Sequence, residues 1–323
     1  MSLTHNDGVS ILITTYNRSD LLDEVLTRLT ALFAGDTLEI LVWDDASTDA
    51  TQAVCARHAD AVRCIRAETN QGCIAGRRHL IAEARGAYLS FLDDDSCFLD
   101  ADALRVIRAI FAGHPGCGVI AANIASRGRP SGMAPREMAP VTVAEFIGCG
   151  HVLRAEAVRQ TGSYPPFLEG YGAEESILAL KMLDGGWEVL FVPNLRVYHA
   201  EDVSERPVLK RRASALVNDV SVVAAAYPAL LLLPGLAKKL ASHFVFNLRN
   251  GSLAAFVRGV TQLNSALPRA VRDRRPVSIR TLRRWYGLRH EWQGRATEAS
   301  VALDPWAETQ ALFRRSGRDG VSA

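Results

Sequence analysis

Ala87-Tyr88-Leu89-Ser90-Phe91-Leu92-Asp93-Asp94-Asp95-Ser96 is a mostly apolar run closed by three adjacent carboxylates. An apolar run of this length, with aromatic and branched side chains, suits a central strand. Three adjacent anions repel one another unless something positive sits among them. At the carboxyl end of a strand in an α/β sheet, where ligands bind, the simplest such group is a divalent cation. A plainer reading is a solvated acidic turn capping a helix that starts near Asp102. Taken alone, the triplet favours the plainer reading. The rest of the chain reverses that balance.

Upstream, strand and helix alternate. Residues 9–13 predict a first strand, followed by Thr14-Thr15-Tyr16-Asn17-Arg18. Ser19 is placed to cap a helix reaching Phe33, with Leu21, Leu22, Val25, Leu26 and Leu29 on one face. Residues 38–43 predict a second strand ending in Asp44-Asp45-Ala46-Ser47-Thr48-Asp49, then a helix over 50–58 and a strand over 62–66. Asn70-Gln71-Gly72 turns into a helix ending near Ala84. Short connections between such elements imply a mostly parallel sheet covered on both faces. Three of its strands end in polar clusters, and parallel strands share one carboxyl edge. The clusters are therefore expected to meet in one crevice although they lie far apart in sequence.

Downstream, a helix is expected over 101–113 and a strand over 118–122. Residues 124–140 are rich in Gly, Pro, Arg and Ser and read as a loop, a candidate lid or acceptor-specificity segment. Residues 164–172 form a stiff aromatic loop. Glu174-Glu175 opens a helix with Ile177, Leu178, Leu180 and Leu183 at helical spacing, stopped by Gly185-Gly186. A strand over 187–192 is expected to close at Pro193, before Arg196-Val197-Tyr198-His199.

The totals set bounds. At 323 residues and 48% hydrophobic, the chain can bury a large domain core plus an appendage, or two cores. A net charge of +2 gives no bulk attraction to nucleic acid. Basic residues concentrate after Lys210, which points to an anionic surface such as membrane lipid for that part. Residues 220–237 are uncharged but carry Pro228, Pro234 and Gly235. A helix-turn-helix packed on the first domain, or lying in a membrane interface, suits them better than a span. Six cysteines without a CxxC pair read as reduced packing residues of a cytosolic protein. No stretch reads as a secretory signal, so a cytoplasmic chain is expected, with a peripheral position at the inner membrane face as an addition.

Seven motifs occur in order: Thr14 to Arg18, Asp44 to Asp49, Asn70-Gln71-Gly72 with Gly76-Arg77-Arg78, Asp93-Asp94-Asp95, Gly172-Ala173-Glu174-Glu175, Gly186-Trp187, and Val197-Tyr198-His199. Together they resemble the motif series of family 2 glycosyltransferases. The resemblance implies a GT-A fold, Rossmann-like and α/β, over residues 8–200, with an α-helical, basic extension over 201–323. It implies a metal-dependent, inverting transfer of sugar from a nucleoside diphosphate, UDP or dTDP, to a hydroxyl of a glycan, lipid-linked saccharide or metabolite. The same resemblance implies roles for the residues. Asp45 and the Thr14 to Tyr16 region hold the base, while Asp44 ties its turn. Arg77 reaches base or phosphates, and Arg78 stands where the family has asparagine. Asp95 is the direct ligand of Mn²⁺ or Mg²⁺, and His199 approaches the metal or diphosphate. Asp93 and Asp94 hold ribose or a metal-bound water.

Glu175 takes the place of the family's usual base, with Glu in place of the commoner Asp, so Glu174 stays a rival. Both also suit a helix's first turn, where the dipole favours carboxylates. Phe167, Tyr171 and Trp187 are candidates to line the acceptor site, Trp187 more plausibly as a core residue. Two other readings compete. A nucleotidyltransferase needs a glycine-rich loop after the first strand, and this chain has none there. A non-catalytic nucleotide-binding scaffold is disfavoured by the intact Asp95 and Glu175. The oligomeric state is left open.

Overall fold

The computed structural model describes residues 7–126, 133–170, 172–200 and 208–298. Tyr171, residues 127–132 of the 124–140 segment and the residues after 298 lie outside them.

The elements run β1 (Val9–Thr15), α1 (Ser19–Leu32), β2 (Leu38–Asp44), α2 (Thr51–Arg57), β3 (Val62–Arg66), α3 (Cys73–Glu83), β4 (Tyr88–Asp93) and β5 (Ser96–Phe98). They continue with α4 (Ala103–Gly113), β6 (Cys117–Ser126), β7 (Val141–Thr142), β8 (Val152–Arg154), α5 (Ala155–Thr161), α6 (Glu174–Asp184) and β9 (Glu188–His199). Four longer helices follow: α7 (Val208–Ala226), α8 (Ala229–Arg249), α9 (Leu253–Arg272) and α10 (Ile279–Glu298).

Among the described residues one sheet runs β3-β2-β1-β4-β8-β6-β9-β5, with β7 on β9. The first four strands are parallel. The short β8 is inserted antiparallel between β4 and β6, which makes the sheet mixed where a mostly parallel one was expected. Alternation along β1 explains the two layers. Leu12 faces one core with Leu41, Phe91, Ile74, Leu178 and Leu180. Ile11 and Ile13 face the other, with Leu22, Leu26, Leu29, Val54 and Ile107. Residues two apart in a strand share a face, so each face of the parallel strands buries its own helices.

Register brings the strand ends level. Thr14 pairs with Trp43 on one side and Asp93 on the other, and Thr15 pairs with Asp44. Close approach is built in at Gly76, where a Cβ would sit 2.6 Å from Trp43 Cδ1 and 2.9 Å from Thr14 Cγ2. Such an overlap cannot be absorbed without shifting β2 or α3.

Some boundaries differ from expectation for local reasons. Ser19 is inside α1, and Arg18 occupies the cap position without a side-chain cap bond. Asp49 does the capping from another loop, accepting from the Ser19 backbone N–H at 2.9 Å. β9 passes through Pro193 because the register to β6 breaks there, between Ala122 and Asn123. Residues 193–195 have no partner in that register, so the missing proline N–H costs no ladder bond, and Asn123 Nδ2 donates to Pro193 O at 2.9 Å. The uncharged 220–237 segment is no single helix. It ends α7, turns at Tyr227-Pro228 and begins α8, which keeps Pro234 inside it. Val222 to Ala226 of α7 and Leu282 and Trp285 of α10 join the core that covers α6.

Candidate active site

The three aspartates lie at the tight β4–β5 turn, which Ser96 fastens by accepting from the Asp93 N–H at 2.8 Å. Asp94 and Asp95 are buried and Asp93 is half-buried. Part of the positive charge that such a triplet needs comes from the protein itself. Arg18 is wedged against it, with Nη1 on Asp94 Oδ1 and Nη2 2.8 Å from Asp95 Oδ2. Thr15 Oγ1 donates to the other Asp94 oxygen at 2.9 Å. Arg77, fully enclosed, lies 3.0 Å from Asp93 Oδ1 through Nη2.

His199 arrives from β9 because Ser96 pairs with it in the β5–β9 ladder. Its Nε2 is 3.1 Å from Asp95 Oδ1 and 3.6 Å from Asp93 Oδ2. Asp95 Oδ1 is buried against the His199 ring and keeps a lone pair for a ligand. Asp93, Cys149 and His199 also offer ligand atoms within 4.8 Å of one another. Carboxylate oxygens with one imidazole fit a hard or borderline divalent ion. The residues present therefore fit such a metal, with Asp95, His199 and Asp93 as its natural holders. Burial pushes the Cys149 thiol well up, which keeps it protonated beside them.

Protonation follows the same geometry. Burial raises the Asp94 carboxyl to about 7, against the pull of Arg18 and with repulsion from Asp95. Burial acts on Asp95 as well, but contacts to His199 and Arg18 outweigh it and hold that carboxyl at about 2.

The second strand-end loop is held from within. Asp44 is buried, accepts from the Ser47 N–H at 2.9 Å and meets Arg66 Nη1 at 2.5 Å, as a turn-tying residue would. Asp45 accepts from the backbone N–H groups of Gln71 and Gly72 at 2.9 and 2.8 Å. Trp43 Nε1 reaches its Oδ1 at 3.2 Å. Asp45 thus joins the Asn70 to Gly72 turn to the edge of the crevice, and its oxygens keep further lone pairs for a ligand. Thr14 is half-buried beside it and Tyr16 stands exposed at the rim. Asn17, at φ 53°, ties the first loop to the second by accepting from the Thr48 N–H at 2.7 Å.

The acidic pair lies across from the triplet. Gly172 at φ 97° and Ala173 at φ 67° turn the chain into α6. A left-handed alanine costs about 1–2 kcal/mol, and it aims Glu174 and Glu175 at the crevice. Glu174 is buried, with Oε1 3.7 Å from Arg77 Nη1. Burial, and then the Glu174 charge, push Glu175 up to about 8 despite Arg77. The Phe146 to His151 loop closes over both. A Cβ on Gly148 would lie 2.6 Å from Glu175 Oε1 and 2.9 Å from Arg77 Nη1, so a side chain there would push both head groups aside. Its carbonyl accepts from Arg77 Nη2 at 3.1 Å and from His151 Nδ1 at 2.8 Å. Burial keeps His151 neutral, so its Nε2 accepts from the Tyr164 hydroxyl at 2.8 Å.

The candidates for base, metal and acid–base roles therefore gather around one sheet edge, while Phe167 and Trp187 do not. Arg77 links Asp93 to Glu174 directly. Of the aromatic candidates, Phe167 is buried in the core and borders a cavity of about 370 Å³ shared with Lys181 and Arg274. Trp187 is half-buried and donates to Gln160 Oε1 at 3.1 Å. Sequence reasoning missed Arg18, Gly148 and Cys149 as members of the site. Arg18 stood in a quoted motif, but only the fold shows which carboxylates it meets. No spacing signal marked the other two.

Residues 10–153 match the model of glycosyl transferase family 2. The match takes in somewhat less than half of the 323-residue chain. An uncharacterized glycosyltransferase of Haemophilus influenzae is 32% identical over 102 residues, covering 32% of this chain and 34% of that protein. The chain thus spans about a third of the length of this curated relative. Staphylococcus aureus TarS, solved with UDP-GlcNAc, superposes with a TM-score of 0.59 at 18% identity, covering 83% of this chain and 84% of that one. The mannosyltransferase PcManGT of Pyrobaculum calidifontis, solved with GDP-Man and Mn²⁺, gives 0.54 at 19% identity, covering 84% and 88%. The chain shares their GT-A fold, with a mixed sheet between helices.

Proposed function

We propose that this chain is a metal-dependent, inverting glycosyltransferase that moves a sugar from UDP or dTDP to an acceptor hydroxyl. The observation that carries this reading is the pairing of two unlike carboxylate groups across one crevice. Asp95, held ionised beside His199, faces the cation site. Glu175, raised by burial, suits proton abstraction. Solved structures of the same fold with UDP-GlcNAc, and with GDP-Man and Mn²⁺, support it.

In this reading Asp45 and Thr14 hold the pyrimidine, with Tyr16 at the rim. Asp95 and His199 hold Mn²⁺ or Mg²⁺, and Asp93 and Asp94 orient ribose or a coordinated water. When bound, the ion supplies positive charge toward the departing nucleoside diphosphate. Arg18 and Arg77 add fixed cations on the same side. Glu175 accepts the proton of the acceptor hydroxyl as it attacks from the far face of the sugar, and one such attack inverts the anomeric centre. Glu174 stays with Arg77. The loop after β1 contains no glycine, which favours this reading over a nucleotidyltransferase. Residues 8–200 form the catalytic unit of the proposal and 201–323 its extension.

A thermal-shift panel of UDP, dTDP, GDP and their sugars, with and without Mn²⁺, tests the donor. One pyrimidine nucleotide is expected to raise the melting temperature more with Mn²⁺ than without, by mass action on the folded state. No shift with any of them would overturn the assignment.

The extension is proposed to rest on an anionic membrane surface at the inner face. α8 is the one described helix long and apolar enough to cross a membrane, and none of its most apolar stretch is buried. Leu230 and Leu233 are 77% and 75% exposed, and Phe244, Leu248, Leu253 and Val257 are exposed as well. Over 208–298 sixteen Lys and Arg stand against four Asp and Glu, which suits anionic lipid rather than a second copy of the same basic surface. The double change Leu230→Glu, Leu233→Glu is expected to release the protein from anionic vesicles in flotation while leaving donor binding intact. Unchanged flotation would remove the membrane from this picture.

A further inference from the structure

Away from the sheet edge, α7, α8 and α10 line a half-open cavity of about 390 Å³. That volume lies within the range of small-molecule sites, about 300–1,000 Å³. Its walls carry Lys238, Lys239, His243, Arg289 and His290, with Ser242, Tyr286 and Asp219. Three permanent cations thus face one carboxylate, and that carboxylate is committed. Asp219 Oδ1 meets Lys239 Nζ at 2.9 Å and Oδ2 meets His243 Nε2 at 2.9 Å. Asp219 therefore holds two donors in place and offsets one of the three cations. Lys238 lies 5.1 Å from the Tyr286 ring centre, and among the described residues it has no carboxylate partner. Arg289 stacks over Trp285 at 4.7 Å and reaches Glu145 only loosely, at 3.4 Å.

We infer that this cavity binds a phosphate or diphosphate group, carried either by the acceptor or by a lipid headgroup. Fixed ammonium, guanidinium, hydroxyl and imidazole donors around one concavity are what such a group needs. A neutral sugar would leave Lys238 without a counter-charge, and a carboxylate would use few of the donors.

Arg289 also links the cavity to residues next to the crevice. Arg289 lines a second, apolar cavity of about 280 Å³ with Phe146, Ile147 and Phe191. Ile147 precedes the Gly148 that packs on Glu175. Glu145, the partner of Arg289, accepts from Ser176, the residue after Glu175. An anion that draws on Arg289 thus loads the start of α6. Binding of the anion does not depend on the glycosyl-transfer reading; its assignment to the acceptor does.

The test titrates the full chain, without divalent metal, with inorganic pyrophosphate in a calorimeter. Flotation on phosphatidylcholine vesicles with and without phosphatidic acid runs in parallel. Wild type is compared with Lys238→Glu, an exposed position whose change spares the core, and with Arg289→Gln. Loss of a charge-assisted contact is expected to weaken binding roughly tenfold or more. UDP binding with Mn²⁺ is expected to stay as in wild type, which shows an intact fold and separates this site from the donor site. Pyrophosphate binding that Lys238→Glu weakens identifies a soluble phosphate-bearing ligand. Weakening confined to phosphatidic acid vesicles identifies a lipid headgroup. If neither ligand distinguishes wild type from both variants, the site is overturned. If UDP fails to bind any of the proteins while pyrophosphate still responds to Lys238→Glu, the donor reading falls and this one stands.

Discussion

Asp95→Asn is expected to abolish the tightening of UDP or dTDP binding by Mn²⁺, while the metal-free affinity changes little. The carboxylate has two tasks. Its Oδ2 anchors Arg18, and its buried Oδ1 faces His199. An amide keeps the shape and one acceptor but removes the charge a hard cation needs. Changes one sphere away from a metal already cost about 10–100-fold in affinity, so a direct ligand is expected to reach the upper end or beyond. Arg18 keeps Asp94 as a partner in the variant, so the fold should survive. Calorimetry of the nucleotide with and without Mn²⁺ reads the difference. Metal-dependent tightening that persists in Asp95→Asn would place the ion elsewhere, with Asp93, Cys149 and His199 the next set to test.

The convergence of strand ends was legible because it follows from period and direction alone. Apolar runs ending in polar clusters, joined by short helices, put Thr14, Asp44 and Asp93 level on one edge, and the registers are as that reading requires. What the sequence could not reveal was pairing across the crevice. The triplet was read as needing a positive group, and a divalent cation was the simplest choice. The fold supplies Arg18, Arg77 and His199 to the same carboxylates, three cationic or ionisable groups drawn from three separate elements. No local spacing encodes that arrangement. Gly148 was silent for a related reason. Its importance lies in the absence of a Cβ beside Glu175 and Arg77, and a missing atom leaves no trace in a periodicity. The inserted β8 was likewise hidden, since a three-residue antiparallel strand is too short to show a pattern.

The helical region shows the opposite limit. Its basic excess and apolar exposure could be read from composition, but the break at Tyr227-Pro228 redistributes them. The 220–237 run splits between a buried end of α7 and an exposed start of α8. The same bend brings Asp219 of α7 opposite Lys239 and His243 of α8, so a charge pattern that looks diffuse along the chain becomes a walled cavity.

Glu175→Gln is expected to cut turnover by roughly 10²–10⁴-fold, the usual contribution of a positioned general base, with donor binding unchanged. The physical case rests on the difference between neighbours. Glu174 sits 3.7 Å from Arg77 and belongs to the Asp93–Arg77 pair. Glu175 has burial and the Glu174 charge against it, and these raise its carboxyl to about 8. The sign follows directly. A raised carboxyl holds its proton below its pKa, so the base form grows as pH rises. In wild type, kcat/KM is therefore expected to climb through about pH 8 and level off above it. Glu174→Gln removes one repelling charge, so the same climb should move to lower pH, with activity retained. Conservative amides at both positions, assayed across pH with donor binding measured alongside, separate the two roles. A dead Glu174→Gln beside an active Glu175→Gln would move the base by one residue and make Arg77, its ion partner, part of the proton-accepting group.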